Sequence, residues 1–223
     1  MDFWYDRWLL KAPLADMVSI IDPPHMLVAE FYRDDGWNVE LLKAWLPMVI
    51  PRAVTWALPP TSSVKLNTDA SVTEGLATGG GLVRTSDGDL VFAFYKEFGE
   101  CDVLTAEALA LLEGLRLCYA WHIMHFVAEV DSSVLVRMVS SCGPARWPLV
   151  NTLRHIQWLS GQMGVSVAHI YREANTVADA LACSRPQQDG VFTVRAELPR
   201  KARSALQLDR LSVPSIRLGR VRH

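Results

Sequence analysis

Between residues 64 and 185 the chain alternates between two hydrophobic periods. Val64, Leu66 and Thr68 alternate with Lys65, Asn67 and Asp69, so the pattern predicts a strand over 64–71. A second strand is predicted over 80–85 and a third over 90–97, with Ser86-Asp87-Gly88-Asp89 as the hairpin turn between them. From Val103 to about His122 the period becomes helical: Leu104, Ala108, Leu111, Leu115, Cys118 and Tyr119 form one stripe at about 100° per residue. A short apolar strand over 125–130 follows, then helices over 132–140 and 148–163, with Pro148 suited to a first turn. A last strand over 165–171 and a last helix over 175–184 complete the order β-β-β-α-β-α-α-β-α. Hairpin strands followed by α/β crossovers imply an α/β fold, a mixed sheet with helices on its faces.

Composition marks off flanks on both sides. Residues 1–63 are rich in Trp and Pro and end in the breaker run Leu58-Pro59-Pro60-Thr61-Ser62-Ser63. Residues 186–223 open with Pro186-Gln187-Gln188-Asp189-Gly190 and become basic and patternless, which predicts a solvated, disordered tail. The reading is therefore an N-terminal flank (1–63), a central domain (64–185) and a tail (186–223).

Charge is uneven across these parts. Of the net −2, the segment from Arg195 onward carries +6 and the remainder −8. A basic tail is suited to nonspecific phosphate contacts, and an acidic body is compatible with carboxylates that hold metal. No uncharged apolar run approaches the roughly 18 residues of a membrane span, and Asp2, Asp6 and Arg7 break any signal-peptide pattern at the start. Cys101, Cys118, Cys142 and Cys183 form no C-x-x-C pair, so a reduced, intracellular setting is expected, nuclear or cytoplasmic, with the protein a monomer away from membranes. His122 and His125 form an H-x-x-H without a second ligand pair and read as ordinary residues at a helix end.

Four carboxylates stand in places where each has an ordinary and a functional explanation. Glu107 falls on the edge of the apolar stripe, toward the sheet, where an unpaired charge is costly unless a metal or a buried partner removes the cost; Glu113 falls opposite and is solvated. Asp69 lies inside a strand pattern, where Asp is disfavoured. Asp131 follows an apolar strand at its carboxyl end, the usual place for sites in open α/β sheets, and equally suits a helix N-cap. Asp179 lies in the first turns of the last helix, where the dipole stabilises a carboxylate without any catalysis. Gly79-Gly80-Gly81 lacks a following G-K-[ST] and reads as a hairpin or close-packing feature.

The motifs around these residues resemble a known family. Lys65-Leu66-Asn67-Thr68-Asp69-Ala70-Ser71 resembles the first-strand motif of ribonuclease H-like domains in plant retroelement-derived, reverse transcriptase-like proteins. Thr105-Ala106-Glu107-Ala108 resembles the start of that family's first helix, and Val127-Ala128-Glu129-Val130-Asp131-Ser132 its fourth strand. The run from Arg172 to Ala182, containing Asn175 and Asp179, is similar to its last motif. Four motifs in register are far more specific than any one. The resemblance implies a five-stranded mixed sheet, three antiparallel strands and then two parallel. It implies Asp69, Glu107, Asp131 and Asp179 as catalytic, metal-binding carboxylates for two Mg²⁺ ions, with Mn²⁺ as a substitute, Asp69 bridging both. It also implies an endonuclease that hydrolyses the RNA strand of RNA–DNA hybrids.

Ala70 stands where the family usually has Gly, which bears on close approach of substrate. Ala70, Ser71, Asn175 and His169 are the candidate substrate contacts. Asn175 is equally a helix cap, and His169, inside a strand pattern, equally structural. Glu129 is a candidate outer contributor to the metal site. At the N-terminus, residues 3–9 and Gly36-Trp37-Asn38-Val39 resemble the segment that precedes the ribonuclease H region in plant non-long-terminal-repeat retroelements. A non-catalytic binding or assembly module descended from the same fold is the rival reading. An exonuclease or resolvase is disfavoured, because Asp69-Ala70-Ser71 lacks a D-x-E pair.

Overall fold

The computed structural model describes residues 2, 5, 24–33, 36–38, 40, 41, 44, 49–141, 147–184 and 188–220. Two compact units emerge, one made of residues 1–55 and 213–223, the other of 56–212.

In the first unit, β1 (Tyr32–Arg33) pairs with β2 (Gly36–Trp37), following a 3-10 turn over Val28–Phe31 that buries Phe31. Strand β3 (Val49–Val54) pairs antiparallel with β10 (Ser215–Arg220), from Ser215 opposite Val54 to Arg220 opposite Val49. Residues 3, 4, 6–9 and 39 of the N-terminal resemblance lie outside the described residues.

The second unit holds a six-stranded mixed sheet in the order β8-β7-β4-β5-β6-β9. Strands β4 (Val64–Thr73), β5 (Leu76–Thr85) and β6 (Leu90–Glu100) form an antiparallel meander, and β7 (Val127–Val130) and β8 (Ser166–His169) extend it in parallel beyond β4. These are the five strands expected. The sixth, β9 (Gly190–Phe192), pairs antiparallel with β6. At three residues it is too short to leave a period-2 signature, and backbone pairing alone defines it.

Helices α1 (Val103–Ala120), α2 (Ser133–Ser141) and α3 (Leu149–Met163) supply one face. Leu66, Val83, Phe92, Phe94, Ala128 and Val130 of the sheet meet Leu111, Leu115, Leu153 and Ile156 there. Helix α4 (Thr176–Ala182) and helix α5 (Arg200–Arg210) cover the other face, where Leu82 and Ala93 meet Val177, Leu181, Leu198, Ala202 and Leu206.

Helix α5 corrects the expectation of a patternless, disordered tail. Leu198, Ala202 and Leu206 recur every four residues and are buried, while Arg200, Lys201 and Arg203 between them face solvent. The charges dominate the composition of this stretch and conceal its helical period. The sheet-bearing unit therefore extends to Ser212, and at its other end to Trp56, which is 3% exposed.

The glycine run is a close-packing feature within β5. A Cβ at Gly80 would lie 2.4 Å from the backbone nitrogen of Ala182, and one at Gly79 2.9 Å from the Ala110 methyl. Helices thus press on this strand from both faces, and α4 is held against the middle of the sheet.

Candidate metal centre

Strand register brings two of the carboxylates together. Strands β4 and β7 run parallel, with Lys65 opposite Val127 and Thr68 opposite Val130. One step further along each chain come Asp69 and Asp131, side by side where β7 ends. Helix α1 supplies the third. Its N-terminus is fixed by Asp102, which accepts from the Thr105 amide at 3.0 Å and from the Thr105 hydroxyl at 2.6 Å. One turn on, Glu107 is buried against the sheet. Asp69, Glu107 and Asp131 each offer an oxygen, and these three oxygens lie within 4.8 Å of one another.

The electrostatics show what this proximity costs. Asp69 is 3% exposed and its carboxyl is pushed up to about 7, by burial first and then by Asp131 and Asp179, although the Ala70 amide donates to it at 2.9 Å. Glu107 is pushed up to about 9 by burial and then by Asp69 and Asp131. Its Oε2 is buried without a hydrogen-bond partner. Asp131 is raised by burial, with Arg172 acting against the shift. Buried carboxylates crowded in this way are stable only when protonated or when a cation neutralises them.

Asp179 stands near enough to raise both Asp69 and Asp131, but is not one of the three converging groups. Its Oδ1 accepts from Arg172 Nη2 at 3.1 Å, in a pair open to solvent. The 3-10 turn over Arg172–Ala174 folds this arginine back over the start of α4. Arg172 lies within the quoted motif, but a contact seven residues apart across a turn leaves no periodic signal, so its role was not legible.

The remaining candidates separate. Asn175 is buried, but its side chain makes no cap bond to α4; its Nδ2 donates instead to the Thr68 carbonyl at 3.0 Å, tying α4 to the residue before Asp69. His169 ends β8, is exposed, sits edge-on to Tyr171 and, like Arg172, acts against the rise at Asp131. Ala70 pairs with Gly79 in the sheet, and the Ser71 carbonyl accepts from the Thr78 hydroxyl at 3.2 Å. Glu129 does not contribute to the cluster. Its carboxylate takes Lys65 at 2.7 Å, Asn67 at 2.9 Å and Trp56 Nε1 at 3.2 Å, because β7 places it across from Asn67 on the face that Lys65 shares.

Residues 67–184, containing all four carboxylates and their connecting motifs, match the family model described as reverse transcriptase-like. The chain belongs to the reverse transcriptase-like family. A protein of Arabidopsis thaliana named "Putative ribonuclease H protein" is 33% identical over 156 residues, covering 69% of this chain and 25% of that protein. The chain thus spans about a quarter of that relative's length. Among solved structures, the ribonuclease H1 of Halobacterium salinarum superposes with a TM-score of 0.52 at 20% identity, over 56% of this chain and all of that one. The N-terminal ribonuclease H domain of a Mycobacterium tuberculosis protein gives 0.51 at 24% identity, over 55% and 91%. The sheet-bearing unit of this reverse transcriptase-like protein is a ribonuclease H-like domain of retroelement type.

Proposed function

We propose that this protein is a Mg²⁺-dependent endonuclease that hydrolyses the RNA strand of RNA–DNA hybrids, with Asp69, Glu107, Asp131 and Asp179 as its metal-holding, catalytic carboxylates. The observation that carries the reading is the trio of converging carboxylates, two buried and Asp131 half-buried, one with an oxygen that has no partner, in a domain built like ribonucleases H. Their donor set fits the ion. Magnesium takes hard oxygen ligands and keeps several waters, and the cluster offers oxygens without a competing thiolate or imidazole. Once bound, a pair of divalent ions supplies an activated water and a stabilised leaving oxygen for phosphodiester hydrolysis.

The protein's own contribution is positioning. Asp69 and Asp131 are fixed by strand register, Glu107 by a capped helix, and Asp179 by α4, which Asn175 fastens to β4. Burial excludes water from the inner side of Asp69 and Glu107, which strengthens their hold on any cation that enters. Discrimination for RNA is expected to rest on the 2′-hydroxyl and duplex shape rather than base sequence. We place the protein inside the cell, acting as a monomer.

Arg172 favours a second reading. Its ion pair with Asp179 puts a cation on the fourth carboxylate and suits a descendant that binds hybrids with weak or no cleavage. One assay separates the two. Full-length protein with Mg²⁺ should cut a labelled RNA–DNA hybrid and spare the all-DNA duplex, and Asp69→Asn should reduce cutting to background. A folded wild-type chain that binds the hybrid but cuts no faster than Asp69→Asn would overturn the nuclease reading in favour of the binding module.

A further inference from the structure

On the outer side of the helical layer, α1 and α3 form a cleft of about 400 Å³ lined by Arg116, His155, Trp158 and Leu159. Tyr119 stands beside Trp158 with ring centroids 6.2 Å apart. The core does not use these rings: Tyr119 is 47% exposed and Trp158 56%. Adjacent large aromatics held open to solvent on rigid helices, their ring planes inclined at 52°, form an apolar platform with Trp158 as its broad face.

The charge around this platform has one sign. No Asp or Glu occurs from Gly114 to Ala128 or from Ser132 to Arg172, in a chain that has 24 of them. Glu113, the nearest acid before the cleft on α1, is engaged by Lys96 at 2.9 Å. Arg116 and Arg154 are exposed and have no ion-pair or hydrogen-bond partner among the described residues. Arg154 precedes Trp158 by one helical turn and so lies on its face. Arg116 is nine residues beyond Glu107, about 14 Å along α1 at 1.5 Å per residue, so the cleft is separate from the carboxylates.

Unpaired arginines beside an open aromatic pair suit a polyanion with flat apolar faces. An acidic peptide would use the arginines and leave the rings idle; a duplex buries its base faces. A single strand supplies phosphates and exposed bases together. We propose that the cleft between α1 and α3 binds single-stranded nucleic acid, stacking a base on Trp158 with the tilted Tyr119 ring at its edge and placing flanking phosphates on Arg116 and Arg154. This goes beyond the nuclease reading and does not depend on it.

The test uses the full chain, chelator in place of divalent metal, and a fluorescein-labelled twelve-nucleotide oligo-dT followed by anisotropy. Trp158→Ala should weaken binding about tenfold, while Trp158→Phe retains most of it. Arg116→Gln with Arg154→Gln should weaken binding severalfold and flatten its salt dependence. The assay reads binding without divalent metal and so without cleavage, and a chain that fails to cut hybrids but binds oligo-dT still supports this site. The proposal is overturned if wild type does not bind, if folded Trp158→Ala binds equally well, or if inorganic polyphosphate competes as strongly as oligo-dT. It is also overturned if wild type self-associates through this face, with Trp158→Ala abolishing the association and leaving oligo-dT binding intact.

Discussion

Lys65 and Asn67 project from β4 on the same face as Asp69, yet their surroundings handle buried charge in opposite ways. Around Asn67 the charges are matched. Arg84, 1% exposed, donates to Asp209 at 2.6 Å and to Asn67 at 2.8 Å, and its guanidinium carbon lies 3.4 Å from the centre of the Trp56 ring. Asn67 passes the chain of bonds to Glu129, which also receives Lys65. Four residues along from Lys65, Asp69 has carboxylates of its own sign around it, and Arg172, the cation beside them, gives its hydrogen bond to Asp179 at the solvent-exposed side. A network that satisfies its own charges holds structure together. A cluster that leaves them opposed stores unfavourable energy that an incoming cation can release.

The largest expected effect lies in the matched region. Arg84→Ala leaves Asp209 buried without its cation and should cost about 3–5 kcal/mol, read as a lower urea midpoint. Because Asp209 sits on α5, amide exchange should accelerate first in 200–210. Replacing both partners, Arg84→Met with Asp209→Leu, should recover most of the loss, since the penalty comes from the orphaned charge. A cost of Arg84→Ala below about 1 kcal/mol would show the network to be incidental.

In the opposed region the same kind of change should act in the other direction. Asp69 and Glu107 have carboxyls raised to about 7 and about 9 in the folded protein, from 3.8 and 4.5. The native state therefore holds more protons than the unfolded chain above about pH 4. Stability of the metal-free protein is fullest below that point and declines as pH climbs through 7 toward 9, by up to about 1.4 kcal/mol per pH unit for each extra proton. Thermal melts in chelator from pH 5 to 9 should show the decline, and Asp69→Asn should flatten it and raise the melting temperature at pH 8 by a few degrees. Mg²⁺ should stabilise wild type increasingly as pH rises and leave Asp69→Asn nearly unmoved. Parallel profiles for the two proteins would mean that the carboxylates do not sense one another.

This contrast was only half legible in the sequence. Asp69 in an alternating strand, Glu107 at the margin of an apolar stripe and Asp131 at a strand end are local features, and the sheet and helix periods around them define most of the fold. Arg84 and Asp209, by comparison, are separated by 125 residues. Arg84 occupies an inward position of β5 where the pattern calls for an apolar residue, and only its partner on α5 explains it. That partner lay in a stretch whose charges hid the spacing of Leu198, Ala202 and Leu206. Glu129 misled for a related reason. Alternation assigns it correctly to one face of β7, but the side chains waiting on that face come from β4 and from Trp56.

Asn175 joins the two regions and gives the smallest effect. Its Nδ2 bond to the Thr68 carbonyl anchors the start of α4 beside Asp69, while its Oδ1 is buried and unpartnered. Asn175→Ala removes one made hydrogen bond and one orphaned acceptor together, so the stability loss should be about 1 kcal/mol. The loss of position should be felt more by Asp179, one helical turn later, than by the core. Hybrid cleavage should therefore fall severalfold, with the Mg²⁺ requirement shifted to higher concentration and the chelator pH profile changed little, because burial and Asp131 act on Asp69 ahead of Asp179, and burial and Asp69 act first on Glu107. Asn175→Ser, which retains a hydroxyl donor, is expected to lie between Ala and wild type if the Thr68 contact matters. If Asn175→Ala leaves the Mg²⁺ dependence where it was, α4 is held by its apolar packing on Gly80 and Leu82 and by the Thr78 hydroxyl bond to the Ala182 carbonyl, and the tie to β4 contributes nothing to the metal centre.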